Sequence, residues 1–257
     1  MPALQPVSLV APPLVDQPFD VHAGLRAAVW HAHALAGAPH QVQATGNAAL
    51  DAQLPGGGWP VGAMTELLQP AHVHSEWRLL LPALSACGQG PVVLVGAPHV
   101  PFAPALAAQG LHSQRLISVS MGTGARAVPD RLWATEQALR CASVDAVLLW
   151  LPAGTVRTDQ LRRLQMAAAS HHKLLFVMRD AQARNDASPA VLRLELWPAN
   201  GVGIDATDDA LHVHLLKRRG PPQDQPLQLA ARAPRLAMLL AATRPAPYAL
   251  ACTTHRA

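Results

Sequence analysis

The sequence predicts an α/β fold: a mostly parallel sheet with helices on both faces and antiparallel strands at one edge. Three observations carry this. Short, continuously apolar runs, PVVLVG at 91–96 and DAVLLWL at 145–151, have the length of strands buried on both faces. Helical stretches of about a dozen residues separate such runs, which is the pattern of βαβ units. Two later segments, 189–197 and 210–217, alternate apolar and polar residues, as half-exposed strands do.

Taken in chain order, residues 1–24 have closely spaced prolines and read as an extended lead-in. Residues 25–35 are Ala-rich with apolar residues at helical spacing, and Gly37 and Pro39 end that helix. Residues 47–54 form a short helix stopped by Pro55 and the run Gly56, Gly57, Gly58. A strand at 63–68 is followed by a loop and a helix at 76–87, which Pro82 bends or starts. The strand at 91–96, a helix at 103–110 and a strand at 116–120 come next. Pro129 suits the first turn of a helix at 130–141. After the strand at 145–151, Thr158 and Asp159 cap a helix at 160–170, and 173–178 is the next strand.

The two alternating segments, joined through DATDD, make the antiparallel edge, with Leu211, Val213 and Leu215 on one face. Beyond Gly220 the chain turns Pro-rich, then offers an amphipathic helix at 235–243. That helix either docks on the body or fills a partner's groove. The expected division is a lead-in at 1–24, an α/β domain at 25–220 and a basic tail at 221–257.

A chain of 257 residues, half of them apolar, can bury one substantial core. Low charge content and a mean hydropathy of +0.15 argue against global disorder. No apolar run has the length of a membrane span, and the N-terminus lacks the basic start and apolar stretch of a secretory signal. The expectation is a cytoplasmic protein with no membrane association. Cys87, Cys141 and Cys252 are far apart and form no CxxC, so they read as reduced thiols, two of them buried on helices. Charge is uneven: residues 1–210 hold 13 Lys/Arg against 15 Asp/Glu, and residues 211–257 hold 7 against 1. Such a basic end suits nucleic acid or an acidic protein surface, or is a solvated tail with no partner.

Residues 45–81 are laid out like the approach to a phosphate-binding loop: short helix, Gly-rich turn, strand, loop, helix. A P-loop needs glycines whose N–H groups close on phosphate, a Lys for the outer phosphates and a Ser/Thr for Mg²⁺. Here the loop reads Gln69-Pro70-Ala71-His72-Val73-His74-Ser75-Glu76. Gln69 and His74 stand at the glycine places, and Ser75 and Glu76 at the Lys and Ser/Thr places. An acid there repels phosphate, so the scaffold is kept and its phosphate chemistry is not. No metal site is expected: the pairs His31/His33, His72/His74 and His212/His214 have no third ligand at a suitable spacing. No GxSxG elbow marks a hydrolase. Trp59 and Trp150 read as packing aromatics, and one Tyr with three Phe make a poor base-stacking platform.

The run LDAQLPGGGWPVGAMTELLQP (50–70) resembles the approach to the ATPase core of RecA-type recombinases. More specifically, GGGWP (56–60), RLWATEQAL (131–139), LRRLQMAA (161–168), SPAVLRL (188–194) and LLKRRG (215–220), in this order, resemble the ImuA family. Those RecA-like, SulA-related accessory proteins belong to the SOS mutasome of translesion DNA synthesis. The resemblance spans roughly residues 29–220. It implies a RecA-like core in which the metal-holding acid falls on Trp150, the general base on Pro98 and the P-loop Lys on Ser75. Phosphoryl transfer depends on positioned charge, so it implies a non-catalytic adaptor that needs no cofactor. The implied partners are an ImuB-like Y-family protein, an error-prone DnaE-type polymerase and RecA. Lys217 and Arg219 match the family's basic pair that reaches a neighbour's nucleotide. They, with Arg218, Arg235, and the loop residues Arg179 and Arg184, are the expected DNA or partner contacts. The alternatives are a DNA-stimulated ATPase with an unconventional site and a SulA-like division inhibitor.

Overall fold

A computed structural model describes residues 41–120, 122, 124, 126–152, 154, 156–198, 210–221, 223 and 225–230. The helices expected at 25–35 and 235–243, with Arg235 and Cys252, lie outside them. The chain divides into two compact units, 1–38 and 39–257, and every described residue belongs to the second.

An eight-stranded mixed sheet with helices on both faces forms the body. Its strands are β3 (Ala63–Gln69), β4 (Val92–Val95), β5 (Leu116–Val119), β6 (Ala146–Trp150), β7 (Leu174–Asp180), β8 (Leu192–Pro198), β9 (Ala210–Lys217) and β10 (Leu227–Ala230). Their order across the sheet is β10-β9-β8-β3-β7-β6-β4-β5. All pairings from β8 to β5 are parallel, and β9 runs antiparallel to both β8 and β10. A two-stranded ribbon of β1 (Val42–Gln43) and β2 (Trp59–Pro60) lies outside this sheet. The helices are α1 (Ala48–Asp51), α2 (Glu76–Ala86), α3 (Ala103–Ala107), α4 (Ala127–Arg140) and α5 (Thr158–His171).

The α/β reading therefore holds, with three departures. First, β8 is parallel to β3, so the antiparallel pairing begins only at β9. Second, β8 is not half-exposed: Leu192, Leu194 and Leu196 are buried on one face, and Arg193 is buried on the other. An ion pair from Arg193 to Glu66 of the central strand makes that burial possible. Third, β10 pairs with β9 inside the stretch expected to be tail, so the sheet continues past Gly220 and β9 is not an edge. A four-residue strand among prolines is too short to show a period in the sequence.

Two apolar layers sandwich the sheet. One packs Leu79, Leu80, Leu81 and Leu84 of α2 and Leu106 of α3 against Leu67, Leu94, Leu148 and Phe176. The other packs Leu132 and Leu139 of α4 and Leu161, Leu164 and Ala168 of α5 against Met64, Val93, Val147 and Val177. Full burial of each such side chain stabilises by about 1.5–3 kcal/mol. Trp59 is fully buried and meets Phe176 edge-to-face at 5.5 Å, so it anchors the ribbon to the core.

Local chemistry sets the boundaries. Asn47 caps α1 by accepting from the N–H groups of Ala49 and Leu50. A Cβ on Gly58 would lie 2.4 Å from the Gln43 carbonyl oxygen, so this glycine serves close packing of β2 on β1 rather than phosphate binding. Helix α4 starts at Ala127, two residues before Pro129, and α5 starts at Thr158, with Gln160 and Arg157 forming the cap. Helix α5 ends on His172 at φ 51°, the left-handed position that glycine usually fills. The side chain of Gln165 in α5 accepts from the Met64 N–H at 2.7 Å, pairing a backbone donor at the start of β3.

Candidate functional site

The carboxyl ends of β3, β4, β6 and β7 open into a cleft of about 360 Å³. In open α/β sheets ligands bind at this end of the strands, where the chain reverses its order across the sheet. Here the chain steps from β4 outward to β5 and then returns to β6 on the other side of β4. The cleft is lined by Gln69 to Ala71 at the end of β3, Gly96 to Pro98 after β4, Trp150 to Pro152 at the end of β6, and Met178 to Asp180 of β7. Val73, His74 and Arg131 complete it.

The loop from β3 to α2 is closed by its own side chains. Glu76, the first residue of α2, is 1% exposed, and its carboxylate accepts from Gln69 Nε2 at 2.7 Å and from Trp150 Nε1 at 3.0 Å. Gln69 Oε1 in turn accepts from the Ser75 N–H at 3.2 Å. A helix N-terminus favours negative charge and presents unpaired N–H groups. In a phosphate site a ligand fills that role; here Glu76 and Gln69 do. The sequence pattern places an acid at this point but carries no sign that it turns inward. Its partner Trp150, 74 residues further on, is visible there as a packing aromatic and as the replacement for a metal-holding acid, but not as a donor to Glu76.

Trp150 ends β6, is buried and lies 6.3 Å from Trp77, so it packs as a core aromatic, as expected. Pro98 is exposed beyond β4. His74 is exposed, meets His99 edge-to-face at 4.9 Å, and has Nδ1 3.9 Å from Glu76 Oε1. Ser75 is buried, at 7% exposure. Pro70 lies at the cleft mouth.

Arg179 departs from expectation. It is not on a flexible loop but within β7, buried, where it bonds Glu66 at 3.4 Å and Asp186 at 2.8 Å. The fully buried Glu66 also accepts from Arg193 Nε at 2.7 Å and Ser188 Oγ at 2.8 Å. Glu66 and Asp186 together balance the two buried guanidiniums, so Arg179 is held by these acids at the cleft wall rather than carried on a loop. Arg184 stands on a short 3-10 turn and pairs with Glu195 at 2.7 Å. Lys217 donates to the Ser188 carbonyl at 3.0 Å, and Arg218 bonds the carbonyls of Gln53 and Pro221. Among the described residues no carboxylate pairs with either charge. Arg219 is exposed beside them, so three cations cluster at the end of β9. On the solvent side of β9, His212 stacks on Trp197 at 5.5 Å, and His214 lies 3.9 Å from Glu195. Among the described residues no group of three His, Cys, Asp or Glu is placed to hold a metal.

The thiols differ from expectation. Cys87 is half-buried; burial pushes its thiol up, against the lowering effect of Arg115. Cys141 is exposed at the end of α4, and a hydrogen bond with Ser143 pulls its thiol down. No helix among the described residues is long and apolar enough to cross a membrane.

Nothing in the sequence pattern singles out Arg131, which reaches from α4 across the end of β4. Its Nη1 donates to the Trp150 carbonyl at 2.7 Å, while its buried Nε has no acceptor. Gly96, at φ 66°, makes room: a Cβ there would come within 2.6 Å of Nε. Neither a scan of protein-family models nor a search of curated proteins returns a match to this chain.

Proposed function

We propose that this chain is a non-catalytic RecA-like adaptor of SOS-induced translesion DNA synthesis, joining the components of a mutasome. The observation that carries the non-catalytic part is the buried Glu76 carboxylate, locked by Gln69 and Trp150 over the start of α2. A triphosphate placed there would meet that negative charge and would find Trp150 where a metal carboxylate is needed. The mutasome part rests on the five ordered sequence segments that resemble the ImuA family.

In this reading the partners are an ImuB-like Y-family protein, an error-prone DnaE-type polymerase and RecA. Lys217, Arg218 and Arg219 give weak, sequence-independent contact with DNA phosphates. Two measurements test it. Titration with ATP and Mg²⁺ is expected to give no turnover, with Ser75→Ala and Lys217→Ala as controls; turnover that disappears in either variant refutes the adaptor reading. Tagged protein from DNA-damaged cells is expected to co-purify the Y-family partner, and its repeated absence removes the mutasome assignment.

A further inference from the structure

We propose that the cleft binds a single carboxylate carried on an apolar body, with Arg131 as the anchor of the carboxylate. This rests on the reading that the cleft does not take a nucleoside triphosphate.

The first observation is the state of Arg131. Its guanidinium is held at one nitrogen by the Trp150 carbonyl and lines the cleft, yet its Nε is buried without an acceptor. Among the described residues no carboxylate pairs with it, whereas Arg115, Arg179 and Arg193 each have at least one. A partly buried guanidinium without a counter-charge is an unfavourable arrangement; its Nε is packed against Gly96, so an incoming carboxylate relieves it through the terminal Nη groups.

The second observation is the lining. Pro70, Val73, Ala97, Pro98, Trp150 and Met178 present apolar surface around Arg131; Arg179 also lines the cleft, but its charge is taken by Glu66 and Asp186. A volume of about 360 Å³ is within the range of small-molecule clefts, which combine an apolar wall with a few placed polar groups. The third is charge. Asp180 lines the same cleft and Glu76 lies behind it, so a polyanion meets two carboxylates and one unpaired guanidinium. One negative charge with an apolar body satisfies all three. Two sources share that chemistry: a free small carboxylate, and the last residue of another protein's chain.

Calorimetry on the full-length chain separates them with N-acetyl-leucine, its neutral amide, 4-methylpentanoate and ATP with Mg²⁺. N-acetyl-leucine is expected to bind with a low-millimolar constant, and the amide about tenfold or more weakly, since a hydrogen-bonded charge is missing. Arg131→Lys is expected to weaken the acid by a similar factor. Ala71→Trp, at an exposed position on the cleft wall, blocks the space without touching the core and is expected to abolish binding. Binding of N-acetyl-leucine alone identifies a chain terminus as the source, and equal binding of 4-methylpentanoate identifies a free carboxylate. Equal affinity for acid and amide, no binding of either acid, or binding indifferent to Ala71→Trp overturns the proposal while leaving the adaptor reading intact. Saturable ATP binding displaced by Ala71→Trp overturns both.

Discussion

Replacing Glu76 tests whether the start of α2 is sealed by an internal acceptor. In Glu76→Ala, Gln69 Nε2 and Trp150 Nε1 are both left without their acceptor in a buried setting. Each buried donor left unsatisfied costs about 1–3 kcal/mol, and the carboxylate's interaction with the helix start disappears as well. Relief from burying a charge offsets part of this, which leaves a net loss of about 3 kcal/mol.

Glu76→Gln keeps the shape but not the pattern. Its oxygen can still accept from Trp150, but its NH₂ then faces the NH₂ of Gln69. Turning the Gln69 amide over moves the conflict to the Ser75 N–H, which now receives a donor instead of an acceptor. One mismatched donor therefore remains however the amides turn, and the expected loss is about 1–2 kcal/mol. Urea unfolding of the two variants measures this as a fall in midpoint at constant slope. A loss below about 1 kcal/mol for Glu76→Ala, or equal losses for both, would refute the sealed-loop argument.

Glu66→Gln leaves Arg193 without its carboxylate and Arg179 with only Asp186, so a loss of about 3 kcal/mol is expected by the same unfolding assay. His172→Gly relieves the left-handed backbone at the end of α5 and should raise stability by about 0.5–1 kcal/mol; a decrease would contradict the φ assigned to it. Near pH 8 an alkylating reagent should consume Cys141 before Cys87, because the first thiol is exposed with a lowered pKa and the second is half-buried with a raised one. Peptide mapping of the modified chain reads the order, and equal rates would count against it. Joint alanine substitution of Lys217, Arg218 and Arg219 should reduce the salt slope of DNA binding by about 0.9 for each phosphate no longer neutralised. An unchanged slope would move the DNA-binding surface elsewhere.

Strand and helix order was legible because the signals are local. PVVLVG and DAVLLWL are apolar throughout, and in the structure both are flanked by parallel partners and covered on each face. The alternation of Leu211, Val213 and Leu215 correctly gave the buried face of β9. β10 is not legible in the sequence because four residues among prolines carry no period. Arg179 reads as a loop residue because a charge after an apolar run has the pattern of a strand end. What keeps it inside β7 is Glu66, 113 residues earlier in the chain.

The sequence alone determined most of the described strands and helices, though not the short β1, β2 and β10, and that the loop after β3 lacks the glycines, lysine and hydroxyl of a phosphate cradle at their places. Those properties depend on residue type and on spacing within a few turns of backbone. Only the tertiary structure decided where the charges went. Glu76 turned inward to Trp150, Glu66 drew in two arginines from neighbouring strands, and Arg131 came to lie across Gly96 with no carboxylate partner among the described residues. The physical reason is desolvation: a buried charge needs a partner at hydrogen-bond distance, and the fold, not the sequence interval, sets which groups come that close.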